Sequence, residues 1–212
     1  MFGTHYKLER KSVGLALAIM LVASIGGLIE IAPLFTIDET VENDPAMRLY
    51  TPLELAGRNI YLREGCYGCH SQMIRTLKDE VDRYGPYSLA VESQYDHPML
   101  WGSKRTGPDL LRVGGKYTDA WHRLHMTDPR AVVPASIMPA YPWLADRPAD
   151  DGTVVARLKA LRTLGHPYSD EDVEGAPAAL AGKTELDGVV AYLQSLGKFA
   201  PPEPAADAHG GH

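Results

Sequence analysis

The first apolar stretch of the chain shows no polar alternation at all. Ser12 to Ile29 (SVGLALAIMLVASIGGLI) carries no charge, and Ile31 to Phe35 extends it with Pro33 inside. A helix needs roughly 20 such residues to cross a hydrocarbon core. The run exceeds the about 7–15 apolar residues of a cleaved signal, and no clear A-x-A site follows, so an uncleaved anchor is expected. Glu30 belongs at the interface, because a carboxylate inside the membrane is costly.

After the anchor the pattern becomes amphipathic and broken. Thr51-Pro52-Leu53-Glu54 reads as a capping box with proline at the first helical position. Leu53, Ala56, Gly57, Ile60 and Tyr61 then recur at helical spacing. Trp121, Leu124 and His125 predict a second helix, and Val154, Leu158 and Leu161 a third that ends at Gly165. Thr184 can cap a fourth, with Leu186, Val189, Val190, Leu193 and Leu196 on one face and Gly197 as the stop. The final PPEPAADAHGGH cannot supply a core and reads as a disordered tail, with His209 and His212 part of it rather than a metal site. The expected layout is a stub and anchor over 1–36, a linker over 37–51, one domain over 52–200 and the tail over 201–212. There is no internal repeat.

Charge orients this layout. Lys7, Arg10 and Lys11 precede the apolar run; Asp38, Glu39, Glu42 and Asp44 follow it. The positive-inside rule puts the N-terminus in the cytoplasm and the rest across the membrane. The whole chain is −6, residues 1–36 are +1, and the remainder is therefore −7. That balance does not suit nucleic acid; membrane lipid is the expected non-protein partner of the anchor.

The chemistry sits in Cys66-Tyr67-Gly68-Cys69-His70, a C-x-x-C-H run. It is the attachment pattern of a c-type haem: two thiols add to the two vinyl groups, and the adjoining histidine falls under the iron as an axial ligand. A bare C-x-x-C could be a redox dithiol or half a zinc site. The adjoining histidine argues against both, and the chain has only these 2 cysteines. One motif implies one haem. Covalent attachment takes place on the periplasmic side of a bacterial inner membrane, the side the charges assign to the domain.

These features together resemble a class I cytochrome c domain, so the expected fold is mainly α: one N-terminal transmembrane helix, then a helical domain with long loops. In that family the first and last helices cross beside the haem with a small residue at the contact. Gly57 and Tyr61, and Tyr192 and Leu193, stand where the crossing would need them. Thr106-Gly107-Pro108-Asp109-Leu110 is similar to the family's G-P-x-L, whose proline carbonyl accepts a hydrogen bond from the proximal imidazole; the resemblance gives that part to Pro108. For the sixth ligand, Met73 lies too near His70, Met99 precedes the turn, and Met126 falls in a helix. Met138, in the proline-braced run Pro134 to Trp143, is the assignment; His122 and His125 are the competing ligands. A His/Met pair fills both axial positions, which makes the domain a relay with no catalytic residues of its own.

A narrower resemblance is carried by CYGCHSQMIR, DEVDRYGPYSLAVESQYDHPMLWGSKRTGPDL, RVGGKYTDAWH, DPRAVVPASIMPAYPWL and VVAYLQSLG. The chain is identified as similar to subunit II of the cbb3-type cytochrome c oxidases. The resemblance implies a catalytic partner subunit holding haem b, haem b3 and copper, and a dihaem cytochrome c subunit that supplies electrons. It implies reduction of oxygen to water with proton movement in the complex. Arg112, Lys116, Tyr117 and Trp121 are candidate contacts for the haem propionates. The insert from Ser71 to Arg105, with Tyr84, Tyr87, Tyr95 and Trp101, is a candidate docking surface. Two other readings stay open: the cytochrome c subunit of a nitric oxide reductase, against which the insert speaks, and a free-standing tethered shuttle. An enzyme with an open iron position is a third, and it requires that Met138 not be a ligand.

Overall fold

The computed structural model describes residues 5, 6, 9–35, 44, 47–102 and 104–197. Lys7, Asp38, Glu39 and Glu42, most of the expected linker and the His209/His212 tail lie outside the described residues. The chain divides into two compact units, Met1–Asn43 and Asp44–His212.

The first unit is built on helix α1, Ser12–Ile31, which runs on into a 3-10 turn at Ala32–Phe35. Its 20 residues rise about 30 Å, the thickness of a bilayer's hydrocarbon core. No residue of α1 is buried. Val13, Val22 and Ile29 are each about 70 % exposed, which only an apolar surround would favour. Among the described residues it is the single helix long and apolar enough to span a membrane.

The second unit is mainly helical; among the described residues the only extended pairing is an isolated bridge between Pro148 and Thr184. Its helices are α2 Pro52–Arg63, α3 Lys78–Tyr84, α4 Asp119–Thr127, the single turn α5 Pro129–Val132, α6 Val154–Thr163, α7 Asp170–Leu180 and α8 Glu185–Ser195. The expected capping box is present: Thr51 Oγ1 accepts from the Glu54 amide while the Glu54 carboxylate accepts from the Thr51 amide. Thr184 and Asp187 repeat it at α8. Each cap is worth about 1 kcal/mol.

Helix α2 is the spine. One face packs with α8 in a core of Ile60, Tyr61, Val189, Val190, Tyr192 and Leu193. The other face, through Leu55 and Ala56, packs on α6 and α7 through Leu158, Val173, Ala176 and Leu180. The α2–α8 crossing is made by glycine against glycine. A Cβ on Gly57 would sit 1.8 Å from the Gly188 carbonyl oxygen. The rings of Tyr61 and Tyr192 meet edge-on at 5.4 Å one turn further along.

Three helices lie beyond the four that periodicity predicts: α3, the single turn α5, and α7. Helix α7 has a Ser169/Asp172 capping box, but Pro177 stands inside it and its run is short of large apolar residues. Proline inside a helix removes an intrahelical donor, so local preference argued against it. Helix α3 lies in the insert and buries Glu80 rather than a hydrophobe.

The insert is folded onto the domain. Arg58 of α2 donates from Nε to Asp96 Oδ1 at 3.1 Å and from Nη1 to the His97 carbonyl at 3.2 Å. Tyr50 also donates to Asp96, at 3.0 Å. Of the four aromatic residues expected at a docking surface, Tyr87 and Trp101 are exposed. Tyr95 packs against His166, and Tyr84 lies beneath the guanidinium of Arg105.

Candidate functional site

Helix α2 delivers the C-x-x-C-H run. After its cap at Glu64, Gly65 takes φ +72, a left-handed conformation that suits glycine, and the chain turns into a 3-10 turn at Cys66–Gly68. The turn closes on itself: the amides of Cys69 and His70 both donate to the Cys66 carbonyl, at 3.1 and 3.0 Å. Both thiols are free, Cys66 half-buried and Cys69 exposed. Burial, with Glu64 and Cys69 nearby, pushes the Cys66 thiol up to about 12. A redox dithiol needs the opposite shift.

His70 is held by the Gly107–Asp109 turn. Its Nδ1 lies 2.8 Å from the Pro108 carbonyl oxygen. A carbonyl only accepts, so Nδ1 carries the proton and Nε2 offers its lone pair outward. Burial lowers the His70 pKa, against the Pro108 bond and the Asp109 charge, which keeps the ring neutral and able to ligate. The turn is stitched to the motif on both sides: Gly107 N–H donates to the Cys69 carbonyl and Leu110 N–H to the Ser71 carbonyl, each at 2.9 Å. Gly107 lies so close that a Cβ there would be 2.2 Å from His70 Cε1. Tyr61 Oη donates to the His70 carbonyl at 3.3 Å, tying the motif back to α2.

Tyr117, just before helix α4, stacks with two rings of that helix. Tyr117 and Trp121 lie 4.0 Å apart at 15°, and Trp121 and His125 lie 4.6 Å apart at 16°. Trp121 and His125 stand at i and i+4, on one stripe of the helix. Lys116 Nζ sits 5.8 Å from the Tyr117 centroid. Burial lowers the His125 pKa, and the nearby His70 lowers it further. His125 Nδ1 is buried without a partner, as is Nε2 of His122. Arg112 is held by the insert. Its guanidinium grips both oxygens of Glu92 and the carbonyls of Pro86 and Tyr87, fastening the insert.

Met138 is half-buried in the 134–142 loop, its amide donating to Ser136 Oγ at 3.2 Å. The loop is anchored to α4 by Tyr141 N–H, which donates to the Met126 carbonyl at 2.8 Å. Burial raises the Tyr141 pKa, and Cys66 and Cys69 raise it further; Tyr141 and Cys66 pack against the same core. Among the described residues no three His, Cys, Asp or Glu side chains cluster as an ordinary metal site.

These features fit a covalently held haem. Two unpaired thiols stand in one turn, a neutral imidazole has a fixed tautomer, a glycine makes room for that ring, and His125 carries an orphaned nitrogen nearby. A family profile described as cytochrome c oxidase, mono-heme subunit/FixO matches residues 5–184. The chain belongs to that family. It is therefore a haem-carrying electron-transfer subunit of a cytochrome c oxidase, and α1 is consistent with a membrane-anchored subunit. No curated protein matches the chain.

Three contributors to the site were not read from the sequence. Gly188 makes the helix crossing with Gly57, Gly107 makes room for the imidazole, and Asp109 bonds both segments. Gly107 and Asp109 lie inside the G-P-D-L run, which was the available signal; Gly188 had only its place within a helix.

Proposed function

We propose that this chain is the monohaem subunit of a cbb3-type terminal oxidase. It relays single electrons through one low-spin haem c, from a dihaem cytochrome c subunit towards haem b of the catalytic subunit, where oxygen is reduced to water. The carrying observation is the C-x-x-C-H turn with the His70 Nδ1 to Pro108 oxygen distance of 2.8 Å. Cys66 and Cys69 would hold the haem by thioether bonds, and His70 and Met138 would be its axial ligands. When bound, the haem supplies one-electron redox chemistry. The residues do the rest. Pro108 orients His70 and raises its basicity. The proline-braced loop holds Met138 with little loss of entropy. The Tyr117–Trp121–His125 stack walls the site, with Lys116 and Trp121 as candidate propionate partners.

In this reading α1 is an uncleaved span of the bacterial inner membrane, with Lys7, Arg10 and Lys11 in the cytoplasm and the haem domain in the periplasm. Purification of the tagged chain from native membranes in mild detergent tests the assignment, with haem and metal analysis of what accompanies it. A b-haem subunit with copper and a dihaem cytochrome is the expected result. Non-haem iron in place of copper would move the chain to a nitric oxide reductase. Recovery alone with one c haem would make it a tethered shuttle.

A further inference from the structure

Directly behind the His70–Pro108 contact lies a line of alternating charges that the haem-ligand assignment does not use. The Asp109 side chain is fully buried. Its Oδ2 accepts from Ser71 Oγ at 2.6 Å and from the Met73 amide at 2.9 Å, and its Oδ1 accepts from the Leu111 amide at 2.9 Å. The Arg105 guanidinium stands 3.8 Å away, its side chain 19 % exposed. Arg105 donates to Ser71 Oγ at 2.8 Å, to the Met73 carbonyl at 2.7 Å and to Glu80 Oε2 at 2.7 Å. Glu80 is paired in turn with Arg75 near the surface. The line therefore runs outward as Asp109, Arg105, Glu80, Arg75, negative end innermost.

We infer that the buried Asp109–Arg105 pair is a positioning and potential-setting device for the iron centre held by His70. The inference rests on the haem reading above and deepens it. The position follows from covalent geometry. Asp109 is bonded to the Pro108 carbonyl, and its carboxylate ties that turn to the residues just after His70. The pair therefore fixes the span between imidazole and carbonyl from both ends. The field follows from burial. Ferric haem carries one more positive charge than ferrous haem, so a nearby anion favours the oxidised form and a nearby cation the reduced form. Solvent screens the Asp109 carboxylate least, because its side chain has no exposed surface. Asp109 and Arg105 therefore act with opposite sign on the same iron.

The test is a potentiometric titration of the haem c, followed optically, in the full-length haem-loaded chain purified in detergent, for wild type and each variant. Asp109→Asn keeps the shape and removes the anion; at a fixed poise the ratio of reduced to oxidised haem c should rise about tenfold. Arg105→Gln removes the cation and should lower that ratio. Arg105→Lys keeps the charge without the fork and should leave the midpoint near wild type. Shifts of the same sign in Asp109→Asn and Arg105→Gln would overturn the inference, since a merely loosened pocket moves both alike. So would equal shifts in Arg105→Gln and Arg105→Lys, a comparison that still decides the matter if Asp109→Asn fails to retain haem. A wild-type chain with no thioether-linked haem in a pyridine haemochrome spectrum would instead sink the functional reading itself.

Discussion

Gly57 of α2 and Gly188 of α8 meet backbone to backbone, so close that a Cβ on Gly57 would fall 1.8 Å from the Gly188 carbonyl oxygen. The reverse approach is looser, with a Cβ on Gly188 3.2 Å from the Gly57 nitrogen. Gly57→Ala should therefore separate the helices, disturb the Tyr61–Tyr192 contact and cost ~3 kcal/mol, the upper range for overpacking. A loss of that size lowers Tm by roughly 6–12 °C in a chain of this length. Gly188→Ala should cost less, because a shift of a few tenths of an ångström relieves it. Thermal unfolding followed by circular dichroism ranks the two; equal losses would contradict the asymmetry.

Gly107→Ala tests the imidazole cradle. The new methyl would lie 2.2 Å from His70 Cε1, so either the ring or the turn must move and the Pro108 bond must lengthen. The expected outcome is a sharp fall in haem c per chain, read by pyridine haemochrome, in protein that still unfolds cooperatively. Normal haem content with an unchanged spectrum would show that the ring has room to spare.

Met138→Ala tests the sixth position. With Met138 as ligand, the reduced wild-type subunit should not bind carbon monoxide and the variant should. His125, with its orphaned Nδ1, is the group expected to replace the methionine. If it does, the variant shows a bis-histidine spectrum and binds carbon monoxide only after His125→Ala is added. Carbon monoxide binding by the wild-type subunit would sink the Met138 assignment.

His166 makes stability depend on pH. Its ring is buried against Tyr95, His97 and Tyr168, with both nitrogens unpartnered. Burial lowers its pKa, and the charges of His97 and of Arg58, itself paired with Asp96, lower it further. The folded chain thus binds this proton less readily than the unfolded chain, whose histidines titrate near ~6.5. Its contribution is complete above that pH and is lost as pH falls through it. Tm should drop between pH 7.5 and 5.5, and drop less in His166→Phe. The remainder belongs to His122 and His125, which burial lowers as well. An identical pH response in His166→Phe and wild type would rule this source out.

Local rules reached some parts of this protein and stopped short of others. The C-x-x-C-H run, the Thr51 capping box, the Thr184 cap and the apolar span are set by neighbours within a few residues, so covalent spacing and side-chain type suffice to read them. Helix α7 was hidden because its evidence conflicted: Ser169 and Asp172 favour a start, while Pro177 argues against the body. Packing of Val173, Ala176 and Leu180 on α2 decides the matter, and no local window contains α2. Arg112 shows the same limit: its partner Glu92 lies 20 positions back in the insert, outside any local window.

The sequence by itself determined the C-x-x-C-H turn, the long apolar helix and four of the shorter helices, because each depends on residues adjacent or one helical turn apart. Only the tertiary structure decided which glycines touch and that a buried carboxylate stands behind the Gly107–Asp109 turn. Those relations join segments 38 to 131 residues apart, and their energies come from close packing and from charge shielded from water, which no single stretch of chain contains.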